Sequence, residues 1–121
     1  MAEQKKHTVL VVDDIPENID TIAGVLRDTY KVKAARDGYK AIEIVQSGKP
    51  PDLVLLDVMM PGIDGFETCS RMKKRPGYLP IIMVTALTDR DSRIKGIECG
   101  ADDFLSKPID PMEIKLKVRN F

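Results

Sequence analysis

Residues 53–67, LVLLDVMMPGIDGFE, decide the fold. Four apolar residues in a row, Leu53 to Leu56, stop abruptly at Asp57. A run of that kind, with no polar alternation, reads as a strand covered on both faces. Pro61-Gly62 then turns the chain, and Asp64-Gly65 opens a helix carrying Phe66, Cys69 and Met72. Upstream, Val9 to Val12 is the same kind of apolar run and ends in Asp13-Asp14. Pro16 suits a first helical turn, and Ile19, Ile22, Ala23 and Leu26 recur at helical spacing after it. Tyr30 to Ala35 is a weaker, more alternating strand of the sort found near a sheet edge, and Asp37-Gly38 opens a second helix with Ala41, Ile42 and Val45 inward and Gly48 as its expected cap. Downstream, Ile81 to Val84 is a third fully apolar strand ending at Thr85, followed by a helix over Arg90 to Glu98 that Gly100 stops. Phe104-Leu105 is a short strand ending near Lys107-Pro108. Asp110 and Pro111 then cap and start a fifth helix with Ile114, Val118 and Phe121 as its stripe. No stop signal follows Phe121, so the expectation is a fragment of a longer chain, or a domain standing N-terminal in one.

Five strand-helix alternations imply an α/β fold, a parallel sheet with helices on both faces. Right-handed crossovers leave few topologies, and a flavodoxin-like doubly wound (βα)5 sheet of order 2-1-3-4-5 fits best, with the most apolar strands central. At 121 residues the chain suffices for one such domain, taken as residues 1–121, and is too short for two. Nineteen basic residues balance nineteen acidic ones, which argues against a domain built mainly to hold nucleic acid or an anionic membrane. Trp is absent and aromatics are 5%, so base-stacking platforms are not expected either. Apolar runs of four or five residues fall far below the roughly 20 that span a bilayer. The polar start, Met1 to Lys6, lacks the apolar core of a signal peptide. Cys69 and Cys99 lack zinc-ligand spacing and read as small buried thiols, which suits a reducing, cytoplasmic location. The lone His7 reads as a surface residue.

In such sheets the functional site lies outside the C-terminal strand ends, at the switch point between strands 1 and 3. Those ends carry Asp13-Asp14, Asp57, Thr85 and Ser106-Lys107. Taken singly, Asp14 reads as a helix cap, Thr85 as a strand-end residue and Lys107 as a surface lysine. Taken jointly they bring three carboxylates, a hydroxyl and an ammonium to one edge. Carboxylates so close repel, and a hard divalent cation relieves the repulsion. Few protein ligands with open positions suit Mg²⁺, which keeps several waters and commonly serves phosphate chemistry. A carboxylate can accept a phosphoryl group as an acyl phosphate, given in-line positioning and neutralised oxygens. Mg²⁺, the Lys107 charge and the Thr85 hydroxyl would take one oxygen each, so the constellation suits phosphorylation of Asp57.

VLVVDD (Val9–Asp14), LVLLDVMMPGIDGFE (Leu53–Glu67), IIMVTAL (Ile81–Leu87) and GADDFLSKP (Gly100–Pro108) together resemble, in order and spacing, the receiver domain of two-component response regulators. The resemblance runs from about His7 to Phe121. It implies Asp57 as phosphoacceptor, Asp14 as a direct Mg²⁺ ligand, Asp13 as a ligand through water and the backbone carbonyl of Met59 as a further ligand. It implies that Thr85 binds the phosphoryl group and swings toward it, that Lys107 pairs with another oxygen, and that Lys107-Pro108 is a cis peptide. Phe104 falls at the switch-aromatic position, where many members have Tyr; lacking the hydroxyl, it would act through packing, and it reads equally as a core residue. Met59 and Leu87 flank the site, and apolar residues there point to a long-lived phosphorylated state.

The resemblance further implies a sensor histidine kinase or phosphotransfer protein as partner, a C-terminal output domain, and a phosphorylation-driven switch of the fourth helix, fifth strand and fifth helix. That face carries Arg90, Arg93, Lys95, Asp102, Asp103, Lys115 and Arg119, which suit either a salt-bridged homodimer or a solvated surface. The wording around the site is closest to receivers of diguanylate cyclase or HD-GYP regulators. Such a domain phosphorylates and slowly dephosphorylates itself without being a turnover enzyme. A Mg²⁺-dependent aspartyl phosphatase would want a carboxylate where Met59 stands. A nucleotide or flavin binder would want a glycine-rich loop where Asp13-Asp14 stand. A receiver-like interaction module that works without phosphorylation is the remaining alternative, and the complete set of Asp13, Asp14, Asp57, Thr85 and Lys107 argues against it.

Overall fold

The computed structural model describes residues 6–86 and 90–121. Five strands alternate with five helices: β1 (Thr8–Val12), α1 (Pro16–Leu26), β2 (Lys31–Ala35), α2 (Gly38–Val45), β3 (Leu53–Asp57), α3 (Gly65–Lys73), β4 (Ile81–Thr85), α4 (Arg90–Glu98), β5 (Asp103–Ser106) and α5 (Pro111–Arg119). All neighbouring strands pair in parallel, in the order β2-β1-β3-β4-β5. The apolar runs do occupy the centre: β1, β3 and β4 are almost wholly buried, whereas the alternating β2 forms an edge with Lys31, Lys33 and Ala34 exposed.

Side chains alternate across each strand, so every central strand feeds two cores. Val9, Val11, Leu53, Leu55, Ile82, Val84 and Leu105 pack against Ile19, Ile22 and Leu26 of α1 and Ile114 and Val118 of α5. Leu10, Val12, Val54, Leu56, Ile81 and Met83 face Ala41 and Val45 of α2 and Cys69 and Met72 of α3. The third helical neighbour on that side, α4, is held far more thinly: Gly96 is its one buried residue.

Local chemistry sets the helix starts. Asp37, Asp64 and Asp110 each accept a backbone N–H of the first turn, from Lys40 (2.8 Å), Glu67 (2.9 Å) and Met112 (2.9 Å). The ends depart from the sequence reading at two places. Gly48 does not cap α2; the helix closes on Gln46, and the Ser47 hydroxyl donates to the Ile44 carbonyl at 2.6 Å, so no left-handed residue is needed. Phe121 is not on the α5 stripe; the helix ends at Arg119, Asn120 closes it, and the Phe121 ring is about half exposed. At Gly100 a positive φ of 92° does stop the chain after α4.

Candidate functional site

Strand register brings the sequence-predicted residues to one edge. Val12 lies opposite Leu56 and Asp57 opposite Val84, so Asp13, Asp57 and the end of β4 are adjacent. Thr85 pairs with Ser106, and the Lys107 N–H donates to the Thr85 carbonyl at 2.9 Å, which carries Lys107 to the same rim. The Lys107-Pro108 peptide is cis. One carboxylate oxygen from each of Asp13, Asp14 and Asp57 lies within 4.8 Å of the others. Lys107 Nζ donates to Asp57 Oδ1 at 3.2 Å and sits 3.6 Å from Asp13 Oδ2.

The two inner carboxylates are buried and differently held. Asp13 accepts the Ile15 N–H on Oδ1 (2.9 Å) and the Asn18 amide on Oδ2 (3.2 Å). Asp14 does not act as the helix cap that it would be taken for singly: the residue at the cap of α1 is Ile15, which makes no side-chain cap, and the Ile15 N–H is held by Asp13. Asp14 is half-buried and opens toward solvent. Burial and then the charge of Asp13 push the Asp57 carboxyl above the usual carboxylate range, while Lys107 and the Met59 N–H pull it back. A hollow of about 290 Å³ beside the cluster is bordered by Asp13, Asn18, Lys107 and Pro108.

Met59 presents its side chain to solvent, 64% exposed. Leu87 lies outside the described residues. Thr85 is buried at the end of β4, on the strand face shared with Ile81 and Met83. Phe104 stands opposite Met83 on that same face, away from the acidic cluster. Its ring abuts α4, since a Cβ added to Gly96 would lie 2.4 Å from two of its carbons.

Two residues essential to this geometry were not singled out by sequence reasoning for the site. Asn18 steadies Asp13, and a polar residue one turn into a helix carries no local sign of that task. Gly65 lets α3 start against the backbone bearing Asp57: an added Cβ would lie 2.3 Å from the Asp57 carbonyl oxygen and 2.6 Å from Val58 Cα. The Gly65 N–H donates to the Val58 carbonyl at 2.8 Å, so the close approach is also bonded. On the α4-β5-α5 side, Asp102 and Asp103 are not idle surface charges. Asp102 takes Lys73 at 2.6 Å and the Ile81 N–H at 2.8 Å, and Asp103 takes Lys117 at 3.2 Å. That face also exposes Ile94, Ile97, Met112 and Leu116.

The donor set fits a hard divalent cation. Three carboxylate oxygens converge, one residue is open to solvent, and no sulfur or imidazole is among the clustered groups. A doubly wound parallel sheet with an acidic trio and a lysine at its carboxyl edge defines a receiver-type signalling domain. The family model for the response regulator receiver domain matches residues 9–119, and the chain belongs to that family. Receiver domains are signalling modules of two-component systems rather than turnover enzymes, and they bind Mg²⁺ at an acidic pocket.

The chain is 44% identical over 115 residues to the response regulator PleD of Caulobacter vibrioides, covering 93% of this chain and 25% of that protein. A response regulator structure from Chloroflexus aurantiacus superposes with a TM-score of 0.89 at 39% identity, covering 96% of this chain and 97% of the other. The BeF3-activated DrrB receiver domain superposes with a TM-score of 0.86 at 29% identity, with 96% and 97% covered. The chain spans a quarter to about half the length of the curated relatives it matches. Among the described residues no helix is long and apolar enough to cross a membrane.

Proposed function

We propose that this chain is a phosphoacceptor switch in which Asp57 takes a phosphoryl group from the phosphohistidine of a sensor histidine kinase or phosphotransfer protein. The observation that carries the reading is the meeting of Asp13, Asp14 and Asp57 with Lys107 at the carboxyl edge of the sheet. An Asp57 carboxylate oxygen attacks phosphorus, the phosphorus–nitrogen bond breaks, and the histidine leaves with the electron pair. Lys107 is already at hydrogen-bond distance and moves its charge from the carboxylate to a phosphoryl oxygen. Asp14, Asp57, Asp13 and the Met59 carbonyl would hold a Mg²⁺ ion, which would neutralise the remaining phosphoryl charge and fix its orientation. The protein holds Asp13 for this purpose through Ile15 and Asn18.

Phosphorylation adds charge that Thr85 reads through its hydroxyl and passes on through packing. Thr85 and Phe104 share the α4 side of the sheet, Phe104 touches Gly96, and Gly96 is the one buried residue of α4. A helix held so thinly is the element we assign to move. The partner of that movement is an output domain in a longer cytoplasmic protein, in which residues 1–121 form the receiver. The wording of the sequence around the site favours an output acting in cyclic-di-GMP metabolism. A homodimer through α4, β5 and α5 would use exposed Ile94, Ile97 and Leu116 along with charge, because Asp102 and Asp103 are engaged within the protomer.

Intact mass after incubation with acetyl phosphate, with Mg²⁺ or with EDTA, tests the reading. One phosphoryl gain that needs both Mg²⁺ and Asp57 supports it. An equal gain in the Asp57→Asn variant, or in EDTA, overturns it.

A further inference from the structure

The two cysteines lie 30 residues apart in sequence and meet in the fold. Cys69 is fully buried on α3, and its thiol donates to the carbonyl of Cys99 at 3.4 Å. Cys99 follows the last residue of α4 and is half-buried, with its own thiol donating to the Gly96 carbonyl at 3.0 Å. Each thiol perturbs the titration of the other more than any other group does. Cys99 alone of the pair reaches solvent, at a shallow 400 Å³ hollow between α3 and α4 bordered by Phe66, Ser70 and Lys95. The phosphoacceptor chemistry uses neither thiol.

We propose that Cys99 and Cys69 are a peroxide-oxidised pair, with Cys99 the attacking thiol and Cys69 the resolving one, whose disulfide ties α3 to the end of α4. The neighbouring Cys69 thiol pulls the Cys99 thiol below its ordinary value, which favours the thiolate there. The Cys99 neighbour and burial push the Cys69 thiol well up, which keeps it protonated and out of the first step. In that step the Cys99 thiolate attacks one oxygen of hydrogen peroxide, the oxygen–oxygen bond breaks and hydroxide leaves, giving a sulfenic acid. The Cys69 sulfur then attacks the sulfenic sulfur, the sulfur–oxygen bond breaks, and water leaves with the Cys69 proton. Two thiols and one peroxide become one disulfide and two waters. A dithiol reverses the bond by exchange. The tie would fasten a helix whose one buried residue, Gly96, lies three residues before Cys99. The proposal stands whether or not Asp57 takes phosphate.

The test treats the reduced chain with hydrogen peroxide at neutral pH and follows intact mass, thiol alkylation and non-reducing peptide maps. Expected are the loss of two hydrogens, loss of both alkylatable thiols, one peptide joining Cys69 to Cys99, and recovery with dithiothreitol. Cys69→Ser should stop at a Cys99 sulfenic acid that dimedone traps, and Cys99→Ser should leave Cys69 unoxidised. The folded chain should close the bond at least tenfold faster than the urea-unfolded chain. Two thiols persisting in the folded protein, a bond between chains instead of within one, or equal rates folded and unfolded would each overturn the proposal.

Discussion

Replacing Asp57 by Asn should stabilise the protein at neutral pH when divalent cations are absent. The carboxylate oxygens of Asp13, Asp14 and Asp57 lie within 4.8 Å of one another, so each pair repels by ~3.5 kcal/mol at an effective dielectric of ~20. Lys107 at 3.2 Å attracts Asp57 by ~5 kcal/mol on the same scale. Two repulsions against one attraction leave ~2 kcal/mol opposing an ionised Asp57, before burial adds to it. Solvent around half-exposed Asp14 trims its share, so the expected gain is ~1–2 kcal/mol, at roughly 3–5 °C in Tm for each kcal/mol in a domain this size.

The pH dependence carries the sign. Below the ordinary carboxyl value of 3.8, Asp57 is protonated in both folded and unfolded chains, and the two proteins should be equally stable. As pH rises from there through the raised native value, the unfolded chain releases its proton first, and the wild type loses ground. Thermal melts between pH 3.5 and 8 in EDTA should therefore diverge, with the Asp57→Asn variant increasingly the more stable. Adding Mg²⁺ should reverse the order, because wild type gains binding energy that the variant, short of one carboxylate, does not. A variant that is less stable than wild type at pH 7 in EDTA would refute the reasoning, as would a gap that does not change with pH.

Lys107→Ala should slow phosphoryl uptake from acetyl phosphate by ~100-fold in a time course of intact mass, as loss of a single charge-stabilising donor does elsewhere. Gly65→Ala places a methyl group inside contact distance of the Asp57 and Val58 backbone and should destabilise the fold by ~1–3 kcal/mol in urea melts. Gly96→Ala drives a Cβ into the Phe104 ring, and hydrogen exchange should rise over residues 94–99 well before it rises over α1.

The sheet was readable from sequence because its information is local and periodic. Leu53–Leu56, Val9–Val12 and Ile81–Val84 are unbroken apolar runs of strand length, the pattern of a strand covered on both faces. Each run ends on a residue at the carboxyl edge of the sheet, so Asp13, Asp57 and Thr85 could be named before any contact was known. Residues whose task depends on a distant neighbour were out of reach. Gly65 reads as a turn residue until β3 is laid against it, and Asn18 as an ordinary helix polar residue until Asp13 is placed. The pairing of Asp102 with Lys73 joins residues 29 apart and turns a supposed surface charge into a brace at the start of β4. Gly48 and Phe121 misled for the opposite reason: helix ends are settled by hydrogen bonds such as that of Ser47, which composition does not encode.

The most direct test of the central claim locates the acyl phosphate itself. Borohydride reduces a phosphorylated aspartate to homoserine, and peptide mass reads its position. After acetyl phosphate with Mg²⁺, homoserine is expected at position 57 and nowhere else, and none is expected in EDTA. Homoserine at position 13 or 14, or at position 57 without the metal, would contradict the account.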